Sequence, residues 1–388
     1  MVKNKKVNKV KSNIIKYLKQ LAVFFISATM IMSCNKIDSN KNENNTDSQW
    51  SQLGNSFYNE IYNIVPGNDG KIYISGGESR NISVWNGVNW SKIGDVNASP
   101  FTGGIDDFPI AVDKDDNVYA VGRINVPQAN SEFHVAKWSK SSNEWINLTS
   151  NGPLFDNGIF SFVTDTLGNL YVAGNVIDWQ LLNLNTGSGN YIYKWDGRTW
   201  NMLGGTKLPS SEEVYMHIDN KGNLFASFYN NNMSPCVSKW NGNNWEELGG
   251  TNTTDFGTGQ IKCITSDSKG NIYAGGYFIS SEDSAYNIYK WTKVTNSWTA
   301  MHTNGNAFCV YSIAIDTDDN LYVAGNFVNS LYARYIAKYQ DNKWSDYGCL
   351  NANNTINSIC FDKNGNMYAG GMFIGGDNKH YVAVCKKR

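Results

Sequence analysis

The sequence predicts an all-β protein, a seven-bladed β-propeller with four-stranded blades, and three observations carry that expectation. A strand-like segment recurs seven times: KIYISGG (71–77), NVYAVGR (117–123), NLYVAGN (169–175), NLFASFY (223–229), NIYAGGY (271–277), NLYVAGN (320–326) and NMYAGGM (366–372). The starts lie 46 to 54 residues apart, the spacing of a propeller blade. The ends of the chain are also complementary. The seventh unit stops one strand short, at Val384-Cys385-Lys386, while a spare Trp50-Ser51-Gln52-Leu53-Gly54 precedes the first unit. The N-terminal strand therefore completes the last blade and closes the ring, which removes the open edges of a linear array.

Each unit reads as four strands, a to d. An apolar strand a runs into a tight turn such as DKDDN, DSKGN, DTDDN or DKNGN. Asp suits this turn because its carboxylate bonds its own backbone, and Gly, Asp or Asn tolerates the positive φ that follows. Strand b is the recurrent segment. Strand c ends in an aromatic residue, and a loop of four to six residues then leads to another Trp that opens strand d. The pairs are Trp85/Trp90, Trp138/Trp145, Trp195/Trp200, Trp240/Trp245, Trp291/Trp298 and Tyr339/Trp344.

These units resemble the kelch and galactose-oxidase style of propeller and the seven-bladed repeats of secreted bacterial proteins. The resemblance covers residues 50–388 and rests on the aromatic step and on the glycine pairs Gly76-Gly77, Gly275-Gly276 and Gly370-Gly371; four blades lack the pair. No motif allows the copper ligands of galactose oxidase to be carried over. The Asp-box of sialidases is excluded because Asp196-Gly197-Arg198-Thr199-Trp200 lacks the spacer between Asp and Gly.

Ahead of the repeats lies an address. Residues 1–33 hold seven Lys and no acid, and a twelve-residue, mostly apolar run extends from Leu21 to Met32. That run is short for a membrane span, which needs about 20 residues, and suits a signal-peptide core. It ends in Ile31-Met32-Ser33-Cys34, which resembles the bacterial lipobox. The resemblance implies lipidation at Cys34, and Asn35 in place of Asp favours outer-membrane delivery by the enterobacterial sorting pattern. The expected organisation is a signal peptide (1–33), a lipid-anchored tether (34–48) reaching roughly 20 Å, and the propeller (49–388), placed in a bacterial cell envelope.

Of 388 residues, 41% are hydrophobic, 13% aromatic and only 17% charged, which excludes a disordered chain or a coiled coil. Without residues 1–33 the balance is 26 basic against 34 acidic groups, or −8. A mildly acidic body is a poor match for nucleic acid, so the expected partners are a protein or glycan of the envelope and, through Cys34, the membrane. A monomer is expected.

Comparing the units with one another separates framework from freedom. Tyr at the third place of strand b and Gly at its sixth are architectural, whereas the seventh place varies: Gly77, Arg123, Asn175, Tyr229, Tyr277, Asn326 and Met372. The b–c and d–a connections, which share one face, are longer than those on the other. That face is the expected binding face, with Arg123, Asn175, Tyr229, Tyr277 and Asn326 as candidates against neutral drift at strand ends. Of 13 Trp, Trp179 alone lies outside the framework, in the longest b–c loop. It either stacks on a ligand or folds back over its blade.

No catalytic motif or metal-ligand spacing is present, and no cofactor or metal is expected. The four histidines are unpaired; His217 suits a core or rim position better than a ligand. The DKNGN-type turns lack the twelve-residue pattern of a Ca²⁺ loop. Cys360 and Cys385 read as apolar fillers, and Cys309–Cys349 is the one candidate disulfide. A non-catalytic binding module follows. The alternative is a propeller hydrolase or lyase acting on glycans, with carboxylates drawn from Asp106, Asp107, Asp156, Asp255 and Asp283.

Overall fold

The computed structural model describes residues 50–78, 82–94, 109–122, 134–150, 153, 155–176, 189–205, 208, 213–230, 233–250, 256–279, 288–301, 309–328 and 333–387; of Asp156, Asn157 and Ile279 only the backbone is described. These residues form seven separate four-stranded antiparallel sheets, six of them built from four consecutive strands. The seventh takes its outermost strand from the other end of the chain. Trp50–Gln52 pairs with Ala383–Cys385 in the register Trp50↔Cys385, Ser51↔Val384 and Gln52↔Ala383. The Leu53 amide donates to the Val382 carbonyl at 2.8 Å, and Phe57 and His380 exchange backbone bonds at 2.6 and 2.9 Å. The fold is thus a seven-bladed β-propeller, closed by the displaced strand that the end arithmetic requires.

Blades are numbered from the first complete unit. Strand a is innermost: Ile61–Pro66, Ile110–Val112, Phe155–Thr164, Met216–Ile218, Thr258–Ser266, Val310–Ile315 and Ile356–Phe361. Each of these strands touches the next one around the ring.

Both faces of every sheet are apolar, because successive side chains of a strand point to opposite faces. In strand b of blade 1, Ile72 and Ile74 pack against Tyr368, Val382 and Val384 of blade 7. Tyr73, between them, packs against Ile110, Val118 and Ala120 of blade 2. The core is therefore divided into seven seams, one between each pair of neighbouring blades.

A buried or half-buried carboxylate organises the a–b turn in six blades. Asp267 is 5% exposed. It accepts the Lys269 and Asn271 amides at 3.1 and 2.9 Å, the Asn271 side chain at 2.7 Å and the Tyr273 hydroxyl at 3.2 Å. Asp113, Asp165, Asp316 and Asp362 repeat the set with Tyr119, Tyr171, Tyr322 and Tyr368. Asp219 does so without a hydroxyl partner, because Phe225 replaces the tyrosine. The fourth residue of each turn has positive φ, from 61° at Asp116 and Asp319 to 87° at Gly168. In four blades a strand c lysine, such as Lys290 over Tyr273 at 5.4 Å, covers the tyrosine ring.

Blade 1 departs from this pattern. Gly67 occupies the aspartate position, and a Cβ there would lie 2.8 Å from the Tyr73 ring and 3.1 Å from Asp116 of blade 2. Asp116 instead reaches across and accepts the Asn68 and Asp69 amides at 2.6 and 3.2 Å. Tyr73 is left with its buried hydroxyl unpaired among the described residues.

Outer aromatic pairs tie blades together. Trp195 and Trp200 are tilted at 44° with centroids 5.3 Å apart. The indole N–H of Trp200 donates to Leu148 of the preceding blade at 2.8 Å. Trp90 and Trp298 make the equivalent bonds to Leu53 and Leu248 at 2.7 and 3.0 Å. Trp50 donates to Tyr347 at 3.2 Å, so the closing strand is joined to its neighbour in the same manner. Opposite Trp50, Cys385 fills the slot that holds an aromatic residue in other blades, and it is 1% exposed.

Replacing Asp267 by alanine leaves a buried tyrosine hydroxyl, an asparagine amide and two turn amides without their acceptor. The expected cost is about 3 kcal/mol, measured as a lower urea midpoint. Removing the exposed Asp196, which caps a c–d turn through the Arg198 and Thr199 amides, is expected to move the midpoint far less.

Candidate functional site

The inner strands present their variable side chains through a repeated irregularity. In blades 1, 3, 5, 6 and 7, strand a carries a bulge opposite the sixth place of strand b: Ile61↔Gly76 is followed by Asn63↔Ser75, which leaves Tyr62 unpaired. The same step isolates Phe160, Lys262, Tyr311 and Asn357. The glycine is needed because the carbonyl preceding the bulge comes close. A Cβ on Gly76, Gly276, Gly325 or Gly371 would lie 2.0–2.2 Å from the oxygen of Glu60, Gln260, Cys309 or Thr355. A bulge re-aims the extra residue out of the sheet. All five bulged residues line a cavity of about 760 Å³ on the propeller axis.

Residues from all seven inner strands or their approaches contribute to this cavity, including Pro109 and Ile110 of blade 2 and Glu213 and Tyr215 of blade 4. The aliphatic residue before each bulge stays in the seams: Ile61, Ile159, Ile261, Val310 and Ile356 are at most 6% exposed. The residue after it ties blades together. Ser161, Ser312 and Ser358 accept the amides of Met216, Ile359 and Ile64 in the next blade at 3.0–3.1 Å.

Glu213 and Lys262 are the only charged side chains among the described lining residues. They meet at 2.6 Å, and the Tyr215 hydroxyl donates to the same Glu213 oxygen at 2.6 Å. Lys262 also lies 5.7 Å from the centre of the Tyr215 ring. Burial pushes the Glu213 carboxyl up, but the hydrogen bonds from Lys262 and Tyr215 outweigh it and hold the group below its ordinary range. Burial and the adjacent carboxylate push the Tyr215 phenol well up. The cluster is a charge-balanced pair set against the Tyr215 ring.

The candidates from the sequence fall elsewhere. Asn175 donates to Asn190 at 3.2 Å across strands b and c of blade 3. The Tyr229 hydroxyl donates to the Gly259 carbonyl of blade 5. Tyr277 is 45% exposed. The Asn326 amide donates to the Cys309 carbonyl at 3.2 Å, and its side-chain oxygen is buried without a partner among the described residues. None of these four lines the axial cavity; among seventh-place residues, Met372 does. Arg123, Trp179, Cys34 and the loop residues Asp106, Asp107, Asp255 and Asp283 lie outside the described residues, as does the side chain of Asp156. The signal missed was in strand a. Ile61-Tyr62, Ile159-Phe160, Val214-Tyr215, Ile261-Lys262, Val310-Tyr311 and Ile356-Asn357 each place a variable residue after a retained aliphatic one.

The expected Cys309–Cys349 bridge does not form. Cys309 is a free, buried thiol, with its Sγ 3.8 Å from the Val310 carbonyl, while Cys263 of blade 5 approaches the same oxygen at 3.7 Å. Cys309 thus lies beside Val310, near Cys263 of blade 5, and burial pushes its thiol up to about 11. Cys360 and Cys385 are likewise free.

Among the described residues no group of three His, Cys, Asp or Glu is placed to hold a metal ion. His134 is buried and bonded to Thr149 at 3.0 Å. His217 is bonded to Ser266 at 2.8 Å and stacked on Phe225 with centroids 6.5 Å apart. Desolvation pushes it down to about 4, against the pull of Asp219.

The profile of the family described as "Two component regulator propeller" matches residues 351–373, the approach to blade 7 and its first hairpin. A comparison with curated proteins finds no match. Among solved structures, the extracellular domain of a protein described as a hybrid two-component system from B. thetaiotaomicron superposes with a TM-score of 0.60 at 11% identity. It covers 88% of this chain, which spans only 40% of that one. Virginiamycin B lyase from Staphylococcus aureus gives 0.59 at 14% identity, covering 88% and 99% of the two chains. The GH74 enzyme of Niastella koreensis gives 0.59 at 14%, covering 86% and 53%. At these identities the likeness is one of fold.

The depressed His217 fixes a pH dependence. The unfolded chain binds this proton near 6.5 and the folded chain only near 4. Its contribution to stability is complete above about 6.5 and declines as pH falls towards 4. Thermal midpoints of His217→Gln between pH 7 and 4 are expected to fall less steeply than those of the unaltered chain.

Proposed function

We propose that this chain is a lipid-anchored β-propeller of the bacterial envelope that binds a protein or glycan without transforming it, through the face where the d–a and b–c connections emerge. The observation that carries this reading is the axial cavity. Five bulges project unlike side chains into it from a scaffold whose other positions are held by packing and hydrogen bonds. An envelope or extracellular address is supported by the basic and apolar segments ending at Cys34, and by the fold-level likeness to an extracellular domain. Against the glycan-cleaving alternative stands the carboxylate inventory. Hydrolysis by two carboxylates needs a pair roughly 5–9.5 Å apart, and among the described lining residues Glu213 is the single carboxylate, already held by Lys262.

Affinity capture from detergent-solubilised envelope with the full chain as bait tests the reading. A macromolecule is expected that is retained by the unaltered chain and lost when Arg123, Trp179 and Tyr277 are together replaced by alanine. Identical recovery by the two baits would overturn the rim of this face as the binding surface. Cys34→Ser is expected to move the protein from the membrane to the soluble fraction.

A further inference from the structure

We propose that the axial cavity binds a neutral oligosaccharide, which deepens the binding reading above and rests on it. The cavity of about 760 Å³ lies within the ~300–1,000 Å³ range of small-ligand sites and has room for roughly two or three sugar rings. Its collar combines aromatic surface from Tyr62, Phe160, Tyr215 and Tyr311 with the polar groups of Glu213, Lys262 and Asn357. A sugar ring needs both, since its C–H faces lie on aromatic rings while its hydroxyls donate and accept.

Charge excludes the obvious competitors. Lys262 is neutralised by Glu213 at 2.6 Å, and no other described lining residue is charged. The collar therefore offers an anionic ligand no surplus cation, and a cationic ligand no surplus carboxylate. A hydroxyl-rich neutral ligand suits the pair, because a carboxylate and an ammonium side by side accept from one hydroxyl and donate to its neighbour.

An extended peptide fits less well. It would pair with the free edges of the inner strands, and several of those edge amides are already used. Ile64, Met216 and Ile359 donate to serine hydroxyls of the neighbouring blade at 3.0–3.1 Å.

The test is calorimetry or saturation-transfer NMR on the full chain in detergent. The probes are maltotriose, cellotriose, xylotriose, mannotriose and chitotriose, with trigalacturonate and a capped trialanine peptide alongside. At least one neutral trisaccharide is expected to bind. Tyr311→Ala, at a side chain already 37% exposed, and Lys262→Gln are each expected to weaken that binding about tenfold. Val294→Ala, on a turn at the opposite end of strand c and 93% exposed, is expected to leave it unchanged.

Preferential binding of trigalacturonate or the peptide overturns the inference, as does a trisaccharide bound equally by both cavity variants. If no trisaccharide binds while envelope capture still retains a macromolecule lost by the triple variant, the saccharide inference falls and the binding module stands. If neither experiment yields a ligand, both fall. Cleavage of a trisaccharide supports the ligand class and overturns the non-catalytic reading.

Discussion

A four-stranded sheet that is apolar on both faces can be buried only between two others, and this constraint governs the whole propeller. Alternate residues of one strand serve different neighbours: Ile72 and Ile74 belong to the seam with blade 7, and Tyr73 to the seam with blade 2. No blade has a core of its own. A linear stack would leave an apolar face exposed at each end, so the array closes into a ring. The last sheet is completed by Trp50–Gln52, which makes the first and last parts of the propeller mutually dependent.

The seams also explain the polar framework. Five of the six turn carboxylates hold a tyrosine whose ring packs between blades, so a local hydrogen-bond set fixes a side chain that matters at long range. Asp267 shows this completely, with Tyr273 at one end and the Asn271 side chain bonded onward to the Lys293 amide at 3.1 Å. Blade 1 shows the constraint from the other side. Gly67 lacks the carboxylate; Asp116 of the next blade accepts the Asp69 amide in its place, and Asp69 accepts the Lys71 amide. The turn survives through a neighbour, at the cost of a Tyr73 hydroxyl unpaired among the described residues.

Where packing and hydrogen bonding claim most positions, chemistry is left to the few that they release. The bulge in strand a is such a release. The sixth-place glycine of strand b lets a carbonyl approach to within contact distance, and the extra residue swings out of the ladder into the axis. One backbone device, repeated around the ring, thereby displays tyrosine, phenylalanine, lysine or asparagine without disturbing the seams. The Glu213–Lys262 pair joins adjacent blades across the axis-facing edge.

The chain's own periodicity determined the architecture. Seven recurrences, the Asp-led turns of six of them, the aromatic pairs and the spare Trp50 segment are all local patterns, and local patterns suffice because six blades are built from consecutive hairpins and the seventh lacks only the strand that Trp50–Gln52 supplies. Position on the axis is not local. Gly76, Gly276, Gly325 and Gly371 were legible as framework, but the sequence does not say that each glycine admits a bulge aimed at the axis. Reading variability along strand b therefore led to Asn175, Tyr229, Tyr277 and Asn326, whereas tertiary structure gathers Tyr62, Phe160, Lys262, Tyr311 and Asn357. The cysteines show the same division. Loop position suggests Cys309–Cys349, and Cys309 is instead a buried free thiol beside Val310 and near Cys263 of the neighbouring blade. Sequence settles which strands form and how they pair within a blade. Only closure of the ring decides which side chains face one another across 200 residues of chain, because that depends on the angle each blade makes with the next.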